Sequence, residues 1–379
     1  MNKERKLLFI FALSFTLFGM LMVYEASSIY AWRLTADGGY FFKRQMVCFF
    51  LGLALFFSVL ALNLRDLRRY FRPALIFNII LLLIVLLAGK SSGGARRWLS
   101  LFGFNLQPSE FLKVSFMLYC TDYLQRKGPL IRNFKKGLLP LFVISGLAFL
   151  LVVLEPDLGT VIFLSLWMFA MLFIHNARMR HLVLIFLVGL CLSGILVKLY
   201  PYRFARITAY FDPWKDPRGS GFQLIQSQIA YGSGGLWGVG LGESKQKLLY
   251  LPAAHTDFIF SIIAEEFGYA GSLALLAFFV FFFMIIMRMA GKMRDPFLSA
   301  LCRGIGLIFG LEFAINIGVT CGLFPTKGLS LPFISYGGSS LIAHYLLLAV
   351  LFNASRQDEL LCREQGLEVK TDLWEGNYV

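Results

Sequence analysis

Residues 250–286 read YLPAAHTDFIFSIIAEEFGYAGSLALLAFFVFFFMII. The second half is apolar and long enough to cross a bilayer of about 30 Å, which takes about 20 helical residues. The first half carries His255, Asp257, Glu265 and Glu266. Ionisable side chains are costly at the edge of the hydrocarbon and usually have a function there. The stretch therefore indicates a membrane helix with chemistry at one end.

The whole chain has the composition of a polytopic membrane protein. Of its 379 residues, 58% are hydrophobic and only 15% are charged, and 40 are Phe. Soluble domains contain about 25% charged residues. The apolar runs predict an all-α protein with ten transmembrane helices. The predicted spans are 7–24, 46–62, 73–89, 108–124, 138–154, 158–174, 182–199, 257–287, 298–320 and 339–353.

The distribution of basic residues predicts the orientation of the chain. Lys and Arg are concentrated in the loops that share a side with the N-terminus, so both termini are predicted to be cytoplasmic. On the opposite side, residues 198–256 form a large extracytoplasmic loop between helices 7 and 8. Residues 1–355 are interpreted as one ten-helix domain and 356–379 as a polar cytoplasmic tail. The first helix lacks a good cleavage site and is read as an uncleaved anchor.

Several other classes of protein are disfavoured. The net charge of +14 fits inside loops that contact anionic lipid, and no basic stripe interleaved with aromatic residues points to nucleic acid. The six cysteines form no C-x-x-C pair, so neither a disulfide framework nor a zinc site is predicted. The segment GSGGLWGVGLG (232–242) follows no strand, which favours a closely approached backbone over a dinucleotide site. No organic cofactor is expected.

Two motifs on the outer side contain groups suited to a sugar phosphate. In QPSEFLK (107–113), Glu110 and Lys113 share a helix face. They either neutralise each other at the bilayer edge or line a polar groove. In GGARRWLSL, Trp98 is either an interfacial anchor or an aromatic face for a sugar, with Arg96 and Arg97 beside it for phosphate.

Two further outer segments bring polar groups to the starts of helices. In EPDLGT (155–160), Asp157 is predicted to cap the following helix. In TKGLSLPFISYGGSS (326–340), Lys327 is the one basic residue, and Ser335 and Ser339 bring hydroxyl groups to the start of the last helix. That helix start either binds an anion or is an ordinary capped turn. The segment SGFQLIQSQIAYGS (220–233) predicts a short interfacial helix.

The segment HTDF holds the candidate with the clearest chemistry. Thr256 or Asp257 could cap the eighth helix. Asp257 also lies at the water boundary, where partial desolvation would raise its pKa toward working pH and make it a usable proton acceptor. Glu265 and Glu266 lie about two turns deeper, and a buried structural network is their expected role.

Six motifs occur in a fixed order along the predicted helices: GGARRW, QPSEFLK, EPDLGT, GSGGLWGVGLG, YLPAAHTDFIFSIIAEEFG and PTKGLSLPFISYGGSS. Together they resemble the shape, elongation, division and sporulation (SEDS) family, the FtsW and RodA proteins. The resemblance covers about residues 5–355 and is nearer to the FtsW branch than to RodA. It implies a peptidoglycan glycosyltransferase that polymerises lipid II outside the cytoplasmic membrane and releases polyprenyl diphosphate. The family commonly has Glu where this chain has Ala253, which leaves Asp257 as the nearby acid to carry the reaction.

The resemblance also implies a site, partners and a location. Asp257 is expected to be catalytic, and Arg97, Lys113 and Lys327 are candidate partners of the diphosphate, together with a divalent cation such as Mg²⁺ or Mn²⁺. The full set of expected substrate-binding residues is Arg97, Trp98, Glu110, Lys113, His255, Thr256, Lys327, Ser335 and Ser339. Expected partners are lipid II, a class B penicillin-binding protein, other division proteins and membrane lipids, but no nucleic acid. The expected location is the bacterial inner membrane at the division septum.

Three other functions remain open at the level of sequence. An elongation-type RodA polymerase would use the same chemistry in the side wall. A lipid II flippase would favour charges through the midplane and discontinuous helices in paired positions, whereas the polar motifs here cluster on the outer side. A non-catalytic scaffold of the division complex would leave little trace in a sequence.

Overall fold

The protein is described by a computed structural model that covers residues 2–92, 95–101 and 104–364. The α-helices within these ranges are α1 (Asn2–Thr35), α2 (Tyr40–Ala61), α3 (Leu64–Arg68), α4 (Phe71–Ala88), α5 (Pro108–Lys127), α6 (Leu139–Leu154), α7 (Leu158–Ile174), α8 (Met179–Leu199), α9 (Pro201–Phe211), α10 (Phe222–Gly234), α11 (Ile259–Lys292), α12 (Pro296–Thr320) and α13 (Gly338–Glu364). The strands are β1 (Lys90–Ser92), β2 (Ala95–Leu101) and β3 (Phe104–Leu106). The predicted all-α membrane class is confirmed.

Eight of the described helices are long and apolar enough to cross a membrane: α1, α2, α4, α6 with the turn before it, α8, α11, α12 and α13. A ninth, α7, is apolar but has only 17 residues. The tenth predicted span is α5, which is long enough but carries several charged residues. The protein is thus a multi-pass membrane protein, and the count of ten crossings stays a prediction.

The start of α1 and the end of α13 lie on the same side of the molecule. Arg5 at the start of α1 binds Glu359 near the end of α13 at 2.8 Å. Glu4 binds Lys292, at the end of α11, at 2.8 Å. This placement agrees with the prediction that both termini share a compartment. The helix α13 continues past Ser355, so the first part of the predicted polar tail is helical, and residues 365–379 lie outside the described ranges.

The packing of the helices follows their polarity. Nearly all of α5 is buried between α4, α7, α12 and α13, because charged groups inside a membrane must face other helices rather than lipid. In contrast, α8 is apolar and almost entirely exposed, and it packs only lightly against α7 and α9. Stacked rings of Phe15, Phe279 and Phe313, with centroids 4.2 and 4.0 Å apart, join α1, α11 and α12.

Two features of the outer side were not predicted. The segment between α4 and α5 contains a small antiparallel sheet in the order β1-β2-β3, in which Leu99 pairs with Leu106. Within residues 198–256, the structure places α9 as well as the predicted interfacial helix, which is α10.

The helix α11 is broken at Gly268, where φ is +68°. The glycine-rich segment 235–240 lies against the break and binds the backbone groups that the break leaves unpaired. Val239 and Gly240 N–H donate to the carbonyls of residues 265 and 266, and the N–H groups of residues 269 and 270 donate to the carbonyls of residues 235 and 236, all at 2.9–3.0 Å. A Cβ added at Gly238 would lie 2.1 Å from a carbonyl oxygen of α11. The predicted close backbone approach is confirmed.

Candidate active site

Two outer segments are bonded to each other above the bundle: the segment that precedes α11 and the loop between α12 and α13. The hydroxyl of Ser335 donates to the carbonyl oxygen of Thr256 at 2.7 Å and accepts from Leu331 N–H at 2.8 Å. The N–H of Tyr336 donates to the carbonyl oxygen of His255 at 2.9 Å. These bonds join the segment that carries the predicted base to the loop that carries Lys327.

Asp257 lies in this contact, half-buried and two residues before α11. The helix begins without a side-chain cap at its N-cap residue Phe258, so the predicted capping by Thr256 or Asp257 is wrong and the carboxylate is left available. A Cβ added to Gly328 would lie 3.0 Å from Oδ2 of Asp257, which shows that the carboxylate packs against a glycine. Burial raises the pKa of Asp257 to about 6, against the opposing charge of Arg206. Burial therefore brings the pKa of this carboxylate into the range that suits a general base near neutral pH.

A cavity of 520 Å³ lies next to this carboxylate, and Gly328 is part of its lining. The walls are apolar side chains of membrane helices: Ile162, Leu166, Leu190, Val197, Ile315 and Val319. The basic residues of the described lining are Arg97, Arg203, Arg206 and Lys327. An apolar groove with a basic head fits an amphiphile that has a long apolar chain and an anionic head group.

Lys327 presents a positive charge to this cavity. Its Nζ is buried and has no hydrogen-bond partner among the described residues. Burial lowers the pKa of Lys327 to about 8, although the negative charge of Asp157 opposes this effect. A Cβ at Gly159 would lie 2.7 Å from Cε of Lys327, so the glycine of EPDLGT makes room for the lysine chain. A substrate anion would supply the hydrogen bonds that the ammonium group lacks.

Arg97 holds the tight turn between α6 and α7. Its Nε donates to the carbonyl oxygen of Glu155 at 3.0 Å, and its Nη2 donates to that of Pro156. Asp157 then caps α7, since its two carboxylate oxygens accept from the N–H (3.1 Å) and the hydroxyl (2.9 Å) of Thr160. The predicted cap is confirmed. Arg97 lines the cavity as well, and its contact with phosphate stays a prediction.

Comparison with known proteins identifies the family. The model of the FtsW, RodA and SpoVE family, described as cell cycle protein, matches residues 5–360. The chain belongs to this family. It is 40% identical over 346 residues to the probable peptidoglycan glycosyltransferase FtsW of Geobacter sulfurreducens, covering 91% of this chain and 93% of the relative. It is 44% identical over 346 residues to the FtsW of Escherichia coli O157:H7, covering 90% and 83%.

Solved structures of family members have the same fold. A chain from a peptidoglycan synthase complex that coordinates polymerisation and crosslinking matches with a TM-score of 0.75 and 27% identity, covering 93% of this chain and 97% of that one. The rod shape determining protein RodA of Thermus thermophilus matches with a TM-score of 0.68 and 26% identity, covering 93% and 96%. The resemblance to the FtsW and RodA family is confirmed.

In this FtsW/RodA family member, Glu110 and Lys113 lie in a buried charge network rather than in the lining of the cavity. The ammonium group of Lys113 lies 2.7 Å from a carboxylate oxygen of Glu110 and also binds Glu312 on α12. Glu312 in turn accepts from Nε2 of His344 on α13 at 2.8 Å. The N–H of Phe333 points at Nδ1 of this ring, at 3.4 Å, which fits a ring that carries a proton on Nε2.

Sequence reasoning missed Glu312 and His344. Each is an ionisable residue inside an otherwise apolar helix, and that signal alone marks a residue for attention. Their pairing with α5 depends on how three helices pack, which no local pattern reveals.

Three other residues that the family resemblance predicts to bind substrate are His255, Ser339 and Trp98. In the structure they contact other protein groups around the site. His255 packs between the rings of Phe41 and Tyr336, at 4.7 and 5.6 Å, and burial lowers its pKa to about 4, so the ring is neutral at working pH. Ser339 accepts from the N–H of Gln107 at 2.9 Å. Trp98 lies half-buried in β2, outside the cavity lining.

Glu265 and Glu266 form the buried network that was expected. Glu265 accepts hydrogen bonds from Ser233 and Ser244. Glu266 shares Lys247 with Glu25 of α1, at 3.1 and 2.8 Å. These contacts fix the outer segment to α1 and α11.

The described residues bear on the prediction of a divalent cation. Among the described residues, no group of three or more His, Cys, Asp and Glu side chains is placed to hold a metal ion. Asp157, the acidic residue of the described cavity lining, already binds Thr160 with both oxygens. The divalent cation stays a prediction.

Proposed function

We propose that this protein is a peptidoglycan glycosyltransferase that joins lipid-linked disaccharides with Asp257 as the base. The observation that carries the proposal is a half-buried carboxylate, Asp257, packed against Gly328, which lines a cavity with apolar walls and a basic head. The relatives named peptidoglycan glycosyltransferase FtsW, at 40–44% identity over most of the chain, support it.

The shape of the cavity suits lipid II as a substrate. The apolar walls of α7, α8 and α12 would contact the polyprenyl chain, since they expose only hydrocarbon to it. The basic residues at the head would contact the diphosphate, where charge-assisted hydrogen bonds are strong. The sugars would then lie above the diphosphate, on the side of Asp257.

The reaction needs one base. A hydroxyl group of the acceptor sugar attacks the anomeric carbon of the donor, and its proton passes to the carboxylate of Asp257. A new carbon–oxygen bond forms at the anomeric carbon, while the bond to the diphosphate oxygen breaks and the diphosphate leaves with its electron pair. Glycoside hydrolases need a second carboxylate to protonate a poor leaving group, whereas diphosphate leaves without one.

The charge that develops on the leaving group calls for cations. Lys327 suits this task because its buried ammonium group has no partner among the described residues. Arg206 and Arg97 line the same cavity. We assign Lys113 an indirect part, since its charge is shared between Glu110 and Glu312. A divalent cation would be held mainly by the substrate diphosphate, as is usual for Mg²⁺, and chelation with EDTA tests its contribution.

One observation favours the flippase alternative, since α11 is discontinuous and transporters use such helices. The backbone groups at this break are bound by the segment 235–240, so they are not available to a transported substrate. The polymerase is the better account of the site.

The experiment compares Asp257→Asn with Asp212→Asn, an exposed aspartate of the same outer segment. Purified full-length proteins are given lipid II, and glycan strands are measured. We expect Asp257→Asn to lose at least about 100-fold in rate, the scale of a lost general base, and Asp212→Asn to keep its activity. Full polymerisation by Asp257→Asn would refute the proposal. Lipid II translocation into vesicles by a polymerisation-defective variant would instead support the flippase.

We further propose, from the resemblance to the FtsW branch, that the enzyme acts at the division septum with a class B penicillin-binding protein. Co-purification of the two proteins tests the partnership. A fluorescent fusion that labels the side wall rather than midcell would favour a RodA-like role.

A further inference from the structure

A single buried amide, Asn316 on α12, joins the two segments that form the proposed site. Its Nδ2 donates to the carbonyl oxygen of Asp257 at 3.0 Å and to that of Leu329 at 2.7 Å. Asn316 is 2% exposed. Both of its N–H groups are therefore used, one on each segment.

This bridge is placed where it can set the geometry of the reaction. Leu329 directly follows Gly328, which packs against the carboxylate of Asp257, and Gly328 follows Lys327. A bond that holds the carbonyls of Asp257 and Leu329 therefore constrains the backbone from which the base and the cation of the cavity head project.

The other bonds between the two segments do not replace this bridge. Ser335 and Tyr336 bind the backbone of Thr256 and His255. These two residues precede Asp257 in the chain, whereas α11 follows it. Asn316 binds the residue that bears the carboxylate itself, and it does so from a helix whose neighbouring residue Ile315 lines the cavity.

We infer that Asn316 is a positioning residue that holds the carboxylate of Asp257 and the loop of Lys327 in the arrangement needed for glycosyl transfer. It does not touch the reacting atoms and acts only through the two carbonyl groups it binds. The inference rests on the proposed function, because it assigns Asp257 and Lys327 their parts in the reaction.

The variant Asn316→Asp keeps the shape of the side chain and removes both donors, so that carboxylate oxygens would face two carbonyl oxygens. Asn316→Leu removes the donors without adding charge. A misplacement of about 1 Å costs on the order of 100-fold in rate. We expect both variants to lose about 10- to 100-fold in kcat with a smaller change in KM. The acidic limb of the rate profile should also move to lower pH, because a loosened Asp257 becomes better hydrated.

Asn353 on α13 provides a matched control. It is also buried, and its Nδ2 likewise donates to two backbone carbonyls, those of Val59 at 2.8 Å and Leu62 at 2.9 Å. It lies near the opposite end of the bundle from Asp257. Asn353→Asp and Asn353→Leu should lower thermal stability as much as the Asn316 variants do, but leave kcat per folded molecule and the pH profile unchanged.

The outcomes separate this inference from the proposed function. Normal kcat and an unmoved pH profile in folded Asn316→Leu would overturn the positioning role, as would an equal loss of kcat in the Asn353 variants. If Asp257→Asn polymerises lipid II normally, the proposed function fails and the positioning role fails with it. An inactive Asp257→Asn with an unaffected Asn316→Leu removes only the positioning role.

Discussion

At the scale of single residues, two opposite pKa shifts predict the pH range in which the site works. Burial raises the pKa of Asp257 to about 6 and lowers that of Lys327 to about 8. The base must be deprotonated and the cation must be protonated. We therefore expect kcat/KM for lipid II polymerisation to rise with pH through about 6 and to fall through about 8.

The alkaline limb is tested with Lys327→Gln, which cannot titrate. This variant should be slower at neutral pH, because it lacks the charge for the diphosphate, and its rate should no longer fall through pH 8. The acidic limb should remain, since Asp257 is unchanged. An alkaline fall that persists in Lys327→Gln would show that another group causes it.

The sequence indicates a residue's position well when the neighbouring residues define its environment, and the catalytic role of Asp257 stays a prediction. Asp257 was identified because it follows a water-facing loop and precedes an apolar run. Glu155 was passed over in the same motif as Asp157, although it is fully buried, lacks a side-chain hydrogen bond among the described residues and has a pKa raised to about 8 by burial. The burial of Glu155 depends on the fold of the turn and on Arg97, which binds this turn from a position far away in sequence.

At the scale of elements, eight of the predicted spans match described helices that are long and apolar enough to cross a membrane, because apolar length is a local property. The sheet between α4 and α5 and the break in α11 were not, because both depend on pairing with another segment. The glycines of GSGGLWGVGLG indicated a close approach, but only the structure shows that they meet α11. The Asn316 bridge was missed for the same reason.

The break in α11 leads to a prediction about stability. Gly238 has φ of +84°, and a Cβ there would lie 2.1 Å from the carbonyl oxygen of Glu266. Gly238→Ala should therefore strain the backbone and disrupt the adjacent hydrogen bonds, at a cost of about 2–4 kcal/mol. Thermal unfolding of the purified protein in detergent measures the change.

Gly146, inside α6, is the control for this substitution, because no atom lies within 4 Å of its added Cβ. Gly146→Ala should be neutral or stabilise the protein by up to about 1 kcal/mol, since alanine favours helix. Equal unfolding temperatures for the two variants would show that the segment 235–240 is not needed to hold the break.

At the scale of the whole molecule, the cavity is formed because α8 stands apart from the bundle. The helix is apolar and almost entirely exposed, and its outer half faces α7 and α12 across the cavity. A lipid-linked substrate could thus reach the basic head from the membrane without leaving hydrocarbon. Two glycines of α8 allow a matched test of this path.

Gly194 lines the cavity, whereas Gly189, on the same helix, does not, and an added Cβ meets no atom within 4 Å at either position. Gly194→Leu should therefore fill space that the polyprenyl chain needs and lower kcat/KM for lipid II by about 10-fold or more, as for a methylene-scale mismatch in an apolar pocket. Gly189→Leu should gain the same helix propensity and stay within about 2-fold of the wild-type rate. A substrate with a shorter prenyl chain should be affected less by Gly194→Leu, because less of it reaches the obstruction. Equal effects of the two substitutions would mean that the polyprenyl chain enters by another route, because only the leucine at position 194 would project into the cavity.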